Sequence, residues 1–227
     1  MTNEEVIMQY VKHFYDLIRM REFVEDKNGG KIVEIICPNI LLDPRFEVID
    51  LGVKKTNVAY CTKELLWYLS QDRCINGYFD DIKIWNNVCD KDKYVNSNYG
   101  WCIFSKENNI QYDNCIKELK NNSSSRRAVM VYNRPSMWDD YNKNGMNDFI
   151  CTDGVQCFIR DKKLVYIVKQ RSCDFVYGFF NDFFWHCYVY NRMLNDLKNV
   201  EVGNILYIPF SFHVYQRHFD LIKKIIE

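Results

Sequence analysis

The sequence has no excess of either charge, with 30 Lys and Arg against 30 Asp and Glu. A general nucleic-acid binder normally carries a basic surplus, so the balance argues against that class while leaving room for a local phosphate pocket. Proline and glycine are scarce, at 4 and 9 of 227 residues, and no Pro/Gly/Ser-rich linker or internal repeat divides the chain. One domain over residues 1–227 is expected. No apolar run approaches the roughly 18 residues needed to span a membrane. None of the ten cysteines is spaced C-x-x-C, which excludes a zinc ribbon and a thioredoxin-type motif. The opening MTNEEVIMQY has no signal-peptide pattern, so reduced thiols and a cytoplasmic location are expected.

What is present is core. The chain is 48% hydrophobic and 16% aromatic, enough to bury a sizeable interior. Apolar residues at helical spacing over 4–20 predict an amphipathic helix with acids in its first turn. KIVEIIC (31–37) predicts a buried strand, KELLWYL (63–69) and IQYDNCIKELK (110–120) helices, and AVMVY (128–132) a strand. A hairpin is expected over 155–170, turning at Asp161-Lys162-Lys163. FFWHCYVYNRMLNDLK (183–198) predicts a long helix, which Asn181 or Asp182 could cap. ILYIPFSFHVY (205–215) predicts a strand entering a last helix. Strands and helices without strict alternation predict an α+β fold, with helices packed on a mainly antiparallel or mixed sheet.

Several residues could carry chemistry. Cys151 follows the polar Asn147-Asp148 loop and opens a strand, where a thiol can face a cleft. A nucleophilic thiolate needs a nearby cation. Arg171 ends the other arm of the hairpin and could supply it; a buried cysteine and a surface arginine are the other reading. Ser125-Arg126-Arg127 enters a strand, and arginine forks suit phosphate, although a solvated charge pair would look the same. His213 and Tyr215 alternate onto one side of a strand and could donate to a sugar hydroxyl or be satisfied core residues. His213 and His218, five apart, are a poor metal pair, so no metal is expected. Glu64 is either solvent-facing or a buried acid on an apolar helix.

In chain order these pieces resemble the thymidylate synthase family. Gln170-Arg171-Ser172-Cys173-Asp174 followed by Gly178 resembles its Q-R-S-C-D signature, with Cys151 at the nucleophile's distance upstream. Ser125-Arg126-Arg127 resembles the arginine pair that reaches a partner's phosphate across a dimer, and His213-x-Tyr215 the sugar-binding H-x-Y. Glu64-Leu65-Leu66-Trp67 resembles the helix with the catalytic glutamate, and Tyr99-Gly100 the active-site Y-G. Lys27, in Asp26-Lys27-Asn28-Gly29, stands where synthases place a phosphate-binding arginine. The few residues after His218 are expected to provide little of the tail that closes over folate in the family.

Within the family, Ser97-Asn98-Tyr99-Gly100-Trp101, Arg134-Pro135-Ser136-Met137, Asp140-Tyr141-Asn142-Lys143 and Asp161-Lys162-Lys163 resemble the phage-type branch that hydroxymethylates a cytosine nucleotide. Thr152 replaces the synthases' histidine after the nucleophile, and Asp182 replaces an asparagine. A carboxylate accepts from the cytosine amino group, and with a shared proton it also bonds N3; facing uracil O4 it sets acceptor against acceptor.

The resemblance implies catalytic roles for Cys151, Glu64, Asp182, Tyr99 and Arg171. It implies nucleotide binding by Lys27, Arg126, Arg127, Gln170, Arg171, Ser172, Asp182, His213 and Tyr215, and folate contacts at Trp85, Asp174 and Gly178. The implied reaction moves a one-carbon unit from 5,10-methylenetetrahydrofolate to C5 of dCMP and adds water. The implied assembly is a homodimer acting on a pyrimidine nucleoside monophosphate, with no nucleic acid or membrane partner. The alternatives are reductive methylation of dCMP or dUMP, or an inactive nucleotide-binding regulator.

Overall fold

The computed structural model describes residues 1–26 and 29–227. In chain order its elements are α1 (Asn3–Met20), β1 (Val24–Glu25), β2 (Lys31–Ile36), β3 (Ile40–Leu42), α2 (Val58–Ser70), α3 (Lys83–Val88), α4 (Tyr99–Phe104), α5 (Gln111–Asn121) and β4 (Val129–Val131). There follow α6 (Met137–Asp140), β5 (Thr152–Arg160), β6 (Lys163–Gln170), β7 (Cys173–Asp174), α7 (Gly178–Leu197), β8 (Ile205–Pro209), β9 (Ser211–Tyr215) and α8 (Phe219–Ile226). The fold is α+β with mixed sheet pairing, as expected. The chain forms two compact units, Met1–Val58 with Ile159–Glu227, and Ala59–Phe158.

In the first unit, α1 starts where its sequence signals a start. The Thr2 side chain accepts from the Glu5 amide, and the Glu5 carboxylate accepts from the Thr2 amide, a reciprocal capping box. Its buried stripe is Ile7, Val11, Phe14 and Ile18. β1, β2, β9 and β7 pair in that order, antiparallel except for the parallel β7–β9 contact. β3 pairs antiparallel with β8, and β8 parallel with β6. Phe14, Phe175, Phe179 and Phe212 pack as one aromatic cluster, with ring centroids between 5.3 and 6.2 Å. Each fully buried ring stabilises the fold by roughly 1.5–3 kcal/mol through the water it sheds.

Three expectations are corrected here. The long helix begins at Gly178, not 183, so Asn181 and Asp182 lie inside it and neither caps it. Burial of Phe179 and Phe180 draws the first turn into the core, and no side-chain cap is made at Tyr177. The run 205–215 is two strands in two sheets, β8 and β9, parted at Phe210. Pro209 has no N–H to extend a ladder, and the Phe210 amide donates to the Gln170 carbonyl at 2.7 Å. β2 is only half buried, since Ile36 is exposed and Cys37 turns outward with φ of 53°.

In the second unit, α2 buries Cys61, Glu64, Trp67 and Tyr68. Trp67 packs edge-on against Phe79 and Trp85, both at 5.2 Å. α4 crosses α2 so closely that a Cβ on Gly100 would lie 1.8 Å from the Tyr68 carbonyl oxygen. Glycine at 100 is therefore a steric requirement, and it lets the Tyr99 ring stack on Tyr68 at 5.1 Å. β4 pairs antiparallel with β5. β5 is joined to β6 through Asp161 and Lys162, whose φ values of 49° and 61° suit a two-residue hairpin loop.

Candidate active site

The sequence-predicted residues divide between the units. Ala59–Phe158 holds Glu64, Trp85, Tyr99, Arg126, Arg127 and Cys151; the other unit holds Gln170, Arg171, Ser172, Asp174, Gly178, Asp182, His213 and Tyr215. Lys27 lies outside the described residues.

Cys151 is half-buried at the end of a loop, its thiol 3.9 Å from the Phe149 carbonyl. The loop is pinned by Asp148. That buried carboxylate accepts from the amides of Asn96 and Ser97 and from the Ser97 hydroxyl, all at 2.7 Å, while the Asn96 side chain donates to the Asp148 carbonyl. Burial raises the Asp148 pKa, opposed by the hydrogen bonds from Ser97 and Asn96. The same two residues lead into α4, where Asn98 caps the helix by accepting from the Trp101 amide at 2.7 Å. One buried acid thus positions both the Cys151 loop and Tyr99. The Thr152 hydroxyl, next in chain to the thiol, donates to the Tyr99 hydroxyl at 3.0 Å.

Glu64 is the buried acid of its two readings, at 5% exposure. It accepts from the Tyr60 hydroxyl at 3.0 Å, and Tyr60 accepts from the Trp85 indole at 2.8 Å. Trp85 also stacks on Phe79 at 5.4 Å, so a predicted folate contact and a predicted catalytic acid share one network. Arg126 and Arg127 are exposed before β4. Arg127 forms an ion pair with Glu118 at 2.9 Å, and Ser125 donates to the same carboxylate oxygen.

In the other unit, β6 ends on Gln170, whose side-chain amide donates to Asp182 Oδ2 at 2.7 Å. Asp182 keeps some exposed surface, yet enough protein surrounds its carboxyl that burial pushes the pKa to about 7, against the lowering effect of the Gln170 bond. Gly178 lies one helical turn earlier, where a Cβ would make ordinary contact with Asp182 Oδ2 and Asp174 Cβ, both at 3.9 Å. Asp174 lies in register with His213 across the parallel β7–β9 pair and accepts from the Val176 amide.

His213 is buried, with its Nδ1 at 3.1 Å from the Ser211 hydroxyl, which donates to Glu34. Burial lowers its pKa more than Asp174 and Glu34 raise it, so the ring is neutral near pH 7. His213 and Tyr215 share a face, ring centroids 5.0 Å apart. This unit therefore gathers Gln170, Asp174, Gly178, Asp182, His213 and Tyr215 around one arrangement of β6, β7, β9 and α7. Arg171 and Ser172, half-buried, join its strands. Among the described residues no group of three His, Cys, Asp or Glu could hold a metal ion.

A family model described as thymidylate synthase matches residues 8–227. The chain belongs to the thymidylate synthase family. It is 41% identical to the deoxycytidylate 5-hydroxymethyltransferase of Enterobacteria phage T4, over 98% of this chain and 89% of that protein. It is 29% identical to a thymidylate synthase of Buchnera aphidicola, over 95% of this chain and 82% of the relative. A Bacillus mojavensis thymidylate synthase is also 29% identical, over 87% and 71%.

Sequence reasoning missed Tyr60 and the structural part of Asp148. Tyr60 stands four residues before Glu64, on the same helix face, and that spacing was the available signal. Nothing local marks Asp148, whose partners lie 51 and 52 positions away. No described helix is long and apolar enough to cross a membrane.

Proposed function

We propose that the chain transfers a one-carbon unit from 5,10-methylenetetrahydrofolate to C5 of dCMP and adds water, giving 5-hydroxymethyl-dCMP and tetrahydrofolate. The observation that carries this reading is the Asp182 carboxyl, held by Gln170 and poised near pH 7. Cytosine offers an amino donor at C4 and a bare acceptor at N3. A carboxyl whose pKa is raised by burial can accept from the first and, when protonated, donate to the second. Uracil offers O4 and N3–H instead, so the ionised carboxylate sets acceptor against acceptor at O4, and discrimination against uracil rests on that form. The name of the phage T4 relative supports the same base and the same outcome.

In this reading the Cys151 thiolate adds to C6, with Arg171 supplying positive field and helping to hold the phosphate. C5 becomes nucleophilic, and Asp182 carries the developing ring charge through N3 and the amino group. Bound folate supplies the one-carbon unit at the oxidation level of formaldehyde. Trp85, Asp174 and Gly178 would hold it. The Asp174 side chain keeps 18% exposure. Loss of the C5 proton supplies the electron pair for an exocyclic double bond, the bond from the one-carbon unit to its carrier nitrogen breaks with tetrahydrofolate as the leaving group, and a ring-borne exocyclic methylene remains. Water adds to that carbon, and Glu64 takes its proton. The ring electrons return to reform the 5,6 double bond and expel the thiolate. His213 and Tyr215 face the sugar. Arg126 and Arg127 reach the phosphate of a second copy, which makes the active form a dimer.

The test is to incubate the protein with dCMP, CMP or dUMP and methylenetetrahydrofolate and weigh the products. Hydroxymethyl-dCMP with tetrahydrofolate is expected. Methylated product with dihydrofolate would replace this reading by reductive methylation.

A further inference from the structure

The donor sequence running into Glu64 is forced by chemistry. An indole N–H only donates, so Tyr60 must accept from Trp85 at 2.8 Å. A phenol has one hydrogen, and the 3.0 Å contact directs it to Glu64 Oε1. That oxygen can act only as an acceptor. The chain is also rigid. Trp85 is stacked on Phe79 at 5.4 Å and packed edge-on against Trp67. Trp67 is itself anchored by its indole donating to the Cys74 carbonyl at 3.0 Å. Burial and the neighbouring Glu64 raise the Tyr60 pKa, so the phenol keeps its proton throughout the physiological range.

We propose that Tyr60 is a positioning residue for the water-addition step, fixing Oε1 of Glu64 as an acceptor and so orienting the carboxylate that takes the proton from water. The inference rests on the reaction proposed above. When water attacks the exocyclic carbon, a C–O bond forms, the methylene electron pair moves into the ring, and water must lose a proton. A carboxylate free to rotate would present either oxygen. With one oxygen fixed, the base is aimed and its ionised form is favoured. Positioned general-base groups of this kind are worth about 10²–10⁴ in rate, and a residue that only aims the base should account for part of that.

The experiment uses full-length protein, wild type and Tyr60→Phe, in single turnover with dCMP tritiated at C5. Tritium release reports substitution at C5, and product mass reports water addition. In Tyr60→Phe, tritium release should stay within about threefold of wild type while product formation slows roughly tenfold or more. A covalent adduct on the protein should accumulate, and the pH dependence of product formation should move to higher pH. Equal slowing of both steps, or no change in either, overturns the proposal. A melting curve within a few degrees of wild type shows that the variant folds; if it does not, Tyr60→Gln, which keeps a donor, should restore product formation more than tritium release, and equal recovery of both overturns the proposal. Wild-type protein that releases tritium but makes no hydroxymethyl product defeats the assigned reaction, a result distinct from any Tyr60→Phe outcome.

Discussion

The two units hold their polar side chains by different means. Gln170, Asp174, His213 and Asp182 sit at the end of β6, in β7, in β9 and on α7, so regular backbone ladders fix them. Cys151 ends a loop, and the strand-like segment before Tyr99 is also irregular. There a single buried carboxylate, Asp148, replaces the ladder. The difference suggests a division of labour. In the proposed reading, the groups that face a flat base gain from the rigidity of sheet and helix, whereas the proposed nucleophile, which bonds to carbon and leaves again, sits on a segment held at few points. Damage in the first unit should change what is bound; damage in the second should change how fast it reacts.

The largest effect expected from breaking that division is at the thiol. Cys151→Ser should abolish turnover and leave dCMP binding within a few-fold, because a serine hydroxyl is un-ionised near neutral pH and makes no C6 adduct. Activity assays beside calorimetric binding check this, and a dead Cys157→Ser or Cys173→Ser with an active Cys151→Ser would reverse the assignment. Asp148→Ala comes next. It strands two backbone amides and one hydroxyl, at about 1–3 kcal/mol each when buried, so denaturant melts should show a loss of several kcal/mol. Turnover should fall with the base preference unchanged.

A subtler difference concerns pH. Burial holds the Asp182 pKa near 7, above its ordinary 3.8. Between those values the folded state binds more protons than the unfolded one, so stability falls as pH rises from about 4 through about 7 and then levels. Melting temperatures across that window should slope downward in wild type and less steeply in Asp182→Asn. The smallest effect is at Arg127, whose side chain is 79% exposed. Arg127→Ala should change stability by less than about 1 kcal/mol and still raise KM for the nucleotide. Mixing Arg126→Ala with Cys151→Ser subunits should restore activity through hybrid sites, and a fully active monomer in sedimentation would reject the shared phosphate site.

Much of this was legible in the sequence where chemistry is local. The buried stripe of α1 follows from spacing alone. The start of α7 did not, because no cap announces it and apolar residues on nearly every face hide the period. The break at Phe210 was hidden because β8 and β9 are both apolar runs, separable only by the different sheets they join. For the candidate site, motif order pointed to Cys151, Glu64, Tyr99 and Asp182 as proposed members. It could not reveal that Thr152 meets Tyr99 across 53 positions or that Asp148 ties two loops.

The central claim is that Asp182 reads the base. Because α7 begins at Gly178, a capping role no longer competes for that residue. The decisive measurement is kcat/KM for dCMP and dUMP in wild type and Asp182→Asn. The account predicts that dCMP turnover falls and dUMP turnover rises, a swing of about 3 kcal/mol in relative transition-state binding, or roughly a hundredfold in the ratio. An unchanged ratio would contradict it.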